Sequence, residues 1–247
     1  MLSYTFPALT PAQQSARREA LNFQGYLSLA LPVGLLFILA IPYLGTNATP
    51  PKTAPKTGPT DHLLSTLLYT LTLLTIATYQ TAPDGLHLIK ALGHVAGAQI
   101  PIVYLLSSRS NQLSPAHVWG WGKVRGWHVV VARAVALLVV GHVGGYLYFF
   151  VKTDRLFRLS QRHIIFGELA FFGFLAIMMT AWTKDKKGGY KWFQRVHFLV
   201  APTLLPALYL HVNWIRPYIL LTGVLYALGR PQAWRFFTER AGLKKGH

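Results

Sequence analysis

A run of about 25 mostly apolar residues, Trp127 to Val151, is long enough to cross a bilayer as a helix. It carries three residues that a bilayer penalises, His128, Arg133 and His142. A second apolar run, Phe193 to Trp214, carries His197 and His211. In both runs the histidines stand 14 positions apart. At about 100° and 1.5 Å per residue, that spacing closes to within about 40° of four turns and rises roughly 21 Å. Each helix therefore presents one imidazole near one end and another about two-thirds of a membrane away, on nearly the same face. Two such helices side by side make two His–His pairs. Imidazole is a good iron ligand, and bundle cores are where such sites are built. The spacing thus predicts two b-type haems, each held by one imidazole from each helix. The bland alternative is four unrelated packing histidines. It is the weaker one, because an ionisable group inside a span is costly and marks function by default.

Composition supports a membrane protein. The chain has 247 residues, 52% of them hydrophobic and 13% charged, with 24 Lys+Arg against 7 Asp+Glu. A basic, apolar chain can bind nucleic acid or a membrane. Here the apolar residues come in blocks with the basic ones between them, and no basic-aromatic reading module is present. Partners are therefore membrane lipid and no nucleic acid. The absence of cysteine excludes disulfides, Cys-ligated zinc, iron–sulfur clusters and thioether-attached haem. The first 20 residues are polar, with Arg17, Arg18 and Glu19, and no signal peptide is expected there.

The hydropathy pattern predicts an all-α, polytopic membrane helix bundle of about seven spans, six of them forming the bis-haem core. Residues 1–61 are a lead with a short amphipathic helix around Pro11 to Asn22, a first span from Gln24 to Leu44, and a Pro/Thr-rich linker. The domain expected to hold haem covers 62–230, and 231–247 form a basic tail. Its spans are His62–Gln80, Leu86–Ser107, the Trp127–Val151 run, His163–Trp182, Phe193–Trp214 and a short return, Ile215–Leu228. Turn chemistry at Ala82-Pro83-Asp84-Gly85 separates the first two. Gly93, Gly97 and Ala98 allow close helix contact, and His94 reads as a hydrogen-bonded packing residue. Glu168 is read as paired or protonated before any role in proton transfer.

The positive-inside rule orients the bundle. The 45–61 linker, the 108–126 and 183–192 loops and the tail share one side and hold the excess of Lys and Arg, so that side and the C-terminus are cytoplasmic. The loop Lys152–Arg162, with four basic residues, lies outside against the rule. Asn47 of the triplet Asn47-Ala48-Thr49 is then cytoplasmic and escapes glycosylation. His128 pairs with His197 for an inner haem, and His142 with His211 for an outer one. Arg133, about 7.5 Å along the helix from His128, needs an anion. A haem propionate is one, with Glu168 or a carbonyl as the alternative.

Residues 86–230 resemble the membrane domain of ferric reductases and NADPH oxidases. His128, Arg133 and His142 match the family's His-x4-Arg-x8-His helix. Tyr190, Phe193, His197 and His211 match its Tyr-x2-Phe-x3-His-x13-His helix. Gly93 through Asn111, ending in Arg109 and Asn111, is similar to its Gly/Ala/Pro-containing helix. The extra first span is similar to that of fungal ferric-chelate reductases. The resemblance implies that the four histidines are axial haem ligands. It also implies electrons passed from cytoplasmic NADPH through FAD and two haems to a ferric or cupric chelate, or to oxygen.

Only residues 231–247 follow Arg230, and no Gly-rich nucleotide loop is present. FAD and NADPH are therefore expected only through a missing domain or a flavoprotein partner. A haem-only bacterial relative, serving a periplasmic methionine sulfoxide reductase, shows that the second design exists. The expected protein is a ferric reductase-type oxidoreductase component in the plasma membrane or an endomembrane. The rival readings are a haem-binding subunit for a separate reductase and a histidine-based proton or ion transporter without haem.

Overall fold

The computed structural model describes residues 4–41, 59–108, 115 and 119–228. The Gly45–Asp61 linker with Asn47, the Arg109 and Asn111 step, and the basic tail lie wholly or mainly outside them. The described chain is all-α: α1 (Pro11–Ala40), α2 (Pro59–Thr78), α3 (Gly85–Ala98), α4 (Ile100–Ser107), α5 (Trp121–Lys152), α6 (Arg162–Thr183), α7 (Gly189–His211) and α8 (Arg216–Leu228). Short 3-10 turns cover Leu156–Ser160 and Asn213–Ile215. The chain divides into two units, one holding residues up to His142 and those from Leu221 on, the other Val143–Leu220.

In the first unit, α1 corrects the expected break between a short amphipathic helix and a separate span. It is one helix of 30 residues, about 45 Å long. Thr10 and Gln13 form a capping box that starts it, with Pro11 in the first turn, a combination that satisfies orphan N–H groups at the helix start. Helical rise then runs unbroken through Pro32. The polar residues of its first half point at partners far along the chain. Arg17 forms an ion pair with Asp84, and Gln24 donates to the Tyr79 carbonyl at 2.7 Å.

Asp84 does two jobs. One carboxylate oxygen accepts from the Leu86 and His87 N–H groups at 3.0 and 3.1 Å, capping α3. The other takes Arg17. The chain breaks between α3 and α4 at Gln99, two residues before Pro101, which has no N–H to continue the ladder. Gln99 is fully buried. Its amide donates to the Ser28 carbonyl of α1 at 2.8 Å and accepts from the Tyr69 hydroxyl of α2 at 2.6 Å. One side chain so ties three helices, each of its buried polar atoms partnered as a low-dielectric interior requires. Ala91, Val95, Ala96 and Ala98 of α3 and Leu73 and Ala77 of α2 are all buried in this unit.

In the second unit, α6 and α7 form a helical hairpin. A Cβ on Gly173 would stand 2.9 Å from Leu204 and 3.1 Å from Val200, so the missing side chain sets how closely the two helices approach. Gly188, with φ of +77°, supplies the left-handed residue that opens α7. Pro202 and Pro206 lie inside α7. The 3-10 turn Leu156–Ser160 packs on α6.

Among the described residues, four helical stretches are long and apolar enough to cross a membrane: Pro11–Ile38, Gly85–Ser107, Trp121–Lys152 and Arg162–Thr183. The apolar part of α2, His62–Thr78, is shorter, and α8 has 13 residues, about 20 Å. The expected span from Trp127 begins six residues earlier, at Trp121.

Candidate cofactor site

The four spaced histidines sit on α5 and α7, two on each, as the apolar runs predict. The structure adds how the rings are held. His142 places Nδ1 2.8 Å from the Ile89 carbonyl of α3. A Cβ on Gly93 would stand 2.5 Å from His142 Cε1 and 2.6 Å from its Nδ1. In the second unit His211 places Nδ1 2.7 Å from the His163 carbonyl of α6. A Cβ on Gly167 would stand 2.5 and 2.6 Å from the same two ring atoms of His211. The two seats are built alike: a helix carbonyl, and a glycine four residues further on.

The reason lies in helix geometry. Each Cα–Cβ bond tilts toward the helix N-terminus, so the side chain at i+4 covers the carbonyl of residue i. Glycine at i+4 uncovers it. The carbonyl then accepts an imidazole N–H with its second lone pair while keeping its helical bond. A ring that donates through Nδ1 and is neutral keeps a free lone pair on Nε2. That is the tautomer a metal ligand needs, and a carbonyl on the opposite nitrogen is the usual device for fixing it.

His128 follows the same logic with a different neighbour. Its Nδ1 lies 3.0 Å from the Val103 carbonyl of α4. Four positions on is Ser107, a small residue whose hydroxyl turns back to the Tyr104 carbonyl at 2.8 Å. His197 is half-buried and packs beside Phe193, ring centroids 5.2 Å apart, and edge-on to Phe198 at 6.3 Å. Arg133 is exposed. Around α5 it projects about 140° from His128 and about 180° from His142, so its long stem must bend to bring the guanidinium to the ligand face.

Sequence reasoning read Gly93 as a helix-packing residue and did not single out Gly167. The signal that finds them is a glycine on a neighbouring helix, which only the fold can match to its histidine. A third imidazole, His62 of α2, lies over a glycine of α5: a Cβ on Gly126 would stand 2.7 Å from its Cε1. His94 and His87 are buried on α3. His94 Nδ1 lies 3.2 Å from the Lys90 carbonyl of its own helix.

Residues 92–208 match the family described as ferric reductase like transmembrane component. The chain is 25% identical over 159 residues to a probable ferric reductase transmembrane component of Eremothecium gossypii. That alignment covers 61% of this chain and 21% of the relative, so the chain spans a minor part of that protein's length. No solved structure matches it. The apolar helices and these similarities agree on an integral membrane protein. Residues 92–208, which include His128, His142 and His197, are thus similar to a ferric reductase transmembrane component, and His211 stands three positions beyond the matched stretch.

Proposed function

We propose that the chain carries electrons across a membrane through two bis-histidine b-type haems, as the membrane component of a ferric- or cupric-chelate reductase. The single observation that supports this best is the pair of matched seats, His142 on Ile89 with Gly93 and His211 on His163 with Gly167. Packing alone does not call for the same imidazole tautomer to be fixed twice in the same way. A metal ligand does.

His128 with His197, and His142 with His211, would hold the two haems through their ring nitrogens, a pairing that rests on their spacing in the sequence. Arg133 is the candidate for an inner propionate. Each haem, when bound, would supply a one-electron redox couple. The chain's own residues do the rest. The carbonyls of Ile89, His163 and Val103 hold the rings in one orientation and raise their basicity. The apolar helices keep water away from the ligands. With all four histidines committed to holding the haems, a metal chelate would be met by the residues of the outer side. The donor would be a flavoprotein domain or partner oxidising NAD(P)H on the cytoplasmic side, the side to which the positive-inside rule assigns the C-terminus.

Electron paramagnetic resonance of the oxidised, haem-loaded protein tests the ligand set. Two low-spin ferric signals of the bis-imidazole kind are expected. A dominant high-spin signal would contradict the assignment, because it requires an open or weakly held axial position.

A further inference from the structure

Three basic residues of α3 are not used by the haem reading. His87, Lys90 and His94 stand at i, i+3 and i+7 and share a face about 60° wide. His87 and His94 are each 6% exposed, and Lys90 is half-buried. All three lie in the candidate span Gly85–Ser107, where an ammonium is costly and needs a counter-charge.

The charges around them do not balance. Arg17 of α1 is within electrostatic reach of both His87 and Lys90, but it is already paired with Asp84. Asp84 is committed twice, to Arg17 and to the start of α3. From α5, His142 is the group within reach of His94. Among the described residues Arg17–Asp84 is the ion pair, and it leaves Lys90 with no carboxylate. Beside it, the Nε2 atom of His87 is buried with no hydrogen-bond partner. A buried imidazole nitrogen without a partner, in the tautomer that carries its proton there, and an ammonium without a carboxylate on the same helix face are what an acceptor-only anion satisfies.

We infer that the α3 face of His87, Lys90 and His94 is a binding site for a carboxylate. One uncompensated ammonium calls for one negative charge, and a carboxylate brings it with two acceptor oxygens, one for Lys90 and one for His87. The face adjoins the seat of His142, since Lys90 follows Ile89 directly and His94 follows Gly93. The carboxylate therefore has two sources of the same chemistry. It is a propionate of the group held by His142, or a carboxylate of a metal chelate brought close to it. The first source rests on the haem reading above and the second does not.

The test uses the full chain purified in detergent, with haem counted first in the unmodified protein. Lys90→Gln, Lys90→Arg and His87→Phe are then compared in two measurements, a spectroelectrochemical titration of each haem and calorimetric titration with citrate. If the carboxylate is a propionate, Lys90→Gln lowers the potential of one haem, because a lost positive charge disfavours the reduced iron. Lys90→Arg restores that potential, and citrate binds neither form. If the carboxylate comes from a chelate, the unmodified protein binds citrate saturably and Lys90→Gln weakens it about tenfold or more. His87→Phe weakens it in the same direction, and the potentials stay. Should Lys90→Gln fail to fold, His87→Phe carries both measurements. A folded variant that changes neither the potential nor citrate binding overturns the inference. If the unmodified protein holds no haem, the haem reading fails by itself and the citrate titration alone decides the carboxylate site.

Discussion

His211 holds its Nδ1 2.7 Å from the carbonyl of His163, four residues before the glycine on which the imidazole rests. His142 repeats the arrangement on Ile89 and Gly93. The relationship is steric before it is chemical, because any side chain at position 93 or 167 would occupy the space of the ring. Gly93→Ala puts a methyl group 2.5 Å from a ring carbon, well inside van der Waals contact. The ring must leave its carbonyl or the helices must part, at a cost of about 1–3 kcal/mol for an overpacked contact. Gly93→Ala and Gly167→Ala should each lower outer-haem content and leave the inner haem in place. The haem-to-protein ratio after purification checks this, and full loading in both variants would remove the seat from the account.

Asp84 offers a prediction about stability. Asp84→Ala deletes the cap of α3 and removes the carboxylate paired with Arg17, whose side chain is 10% exposed. A lost cap costs about 1 kcal/mol, and a buried charge left without its partner about 3–5 kcal/mol. The thermal unfolding midpoint in detergent should fall by several degrees, and Arg17→Met in the same background should recover part of the loss. An unchanged midpoint would mean that the pair contributes nothing to the first unit.

Much of the architecture was legible in the sequence, because apolar length and histidine spacing are local quantities. The ends of α3–α4 and α6 fall within a residue or two of the expected spans. The continuous α1 was harder to see. Arg17 reads as part of a polar lead and Gln24 as the start of a span until their partners are known, and those partners, Asp84 and the Tyr79 carbonyl, lie 67 and 55 positions away. Gln99 was invisible for the same reason, since its value lies in Ser28 and Tyr69. The seats of His142 and His211 were half legible. The spacing located the rings, but a backbone carbonyl carries no sequence signal, and its glycine means nothing until the helices are set side by side.

The most direct measurement is a reduced-minus-oxidised visible spectrum of the purified protein, with haem counted per chain, for the unmodified sequence and for His142→Ala. The account predicts a Soret band, a sharp α-band on reduction and two haems per chain, falling to one in the variant with the inner haem intact. A folded protein that stays colourless when purified with haem available, or a His142→Ala variant that keeps both haems, would contradict it.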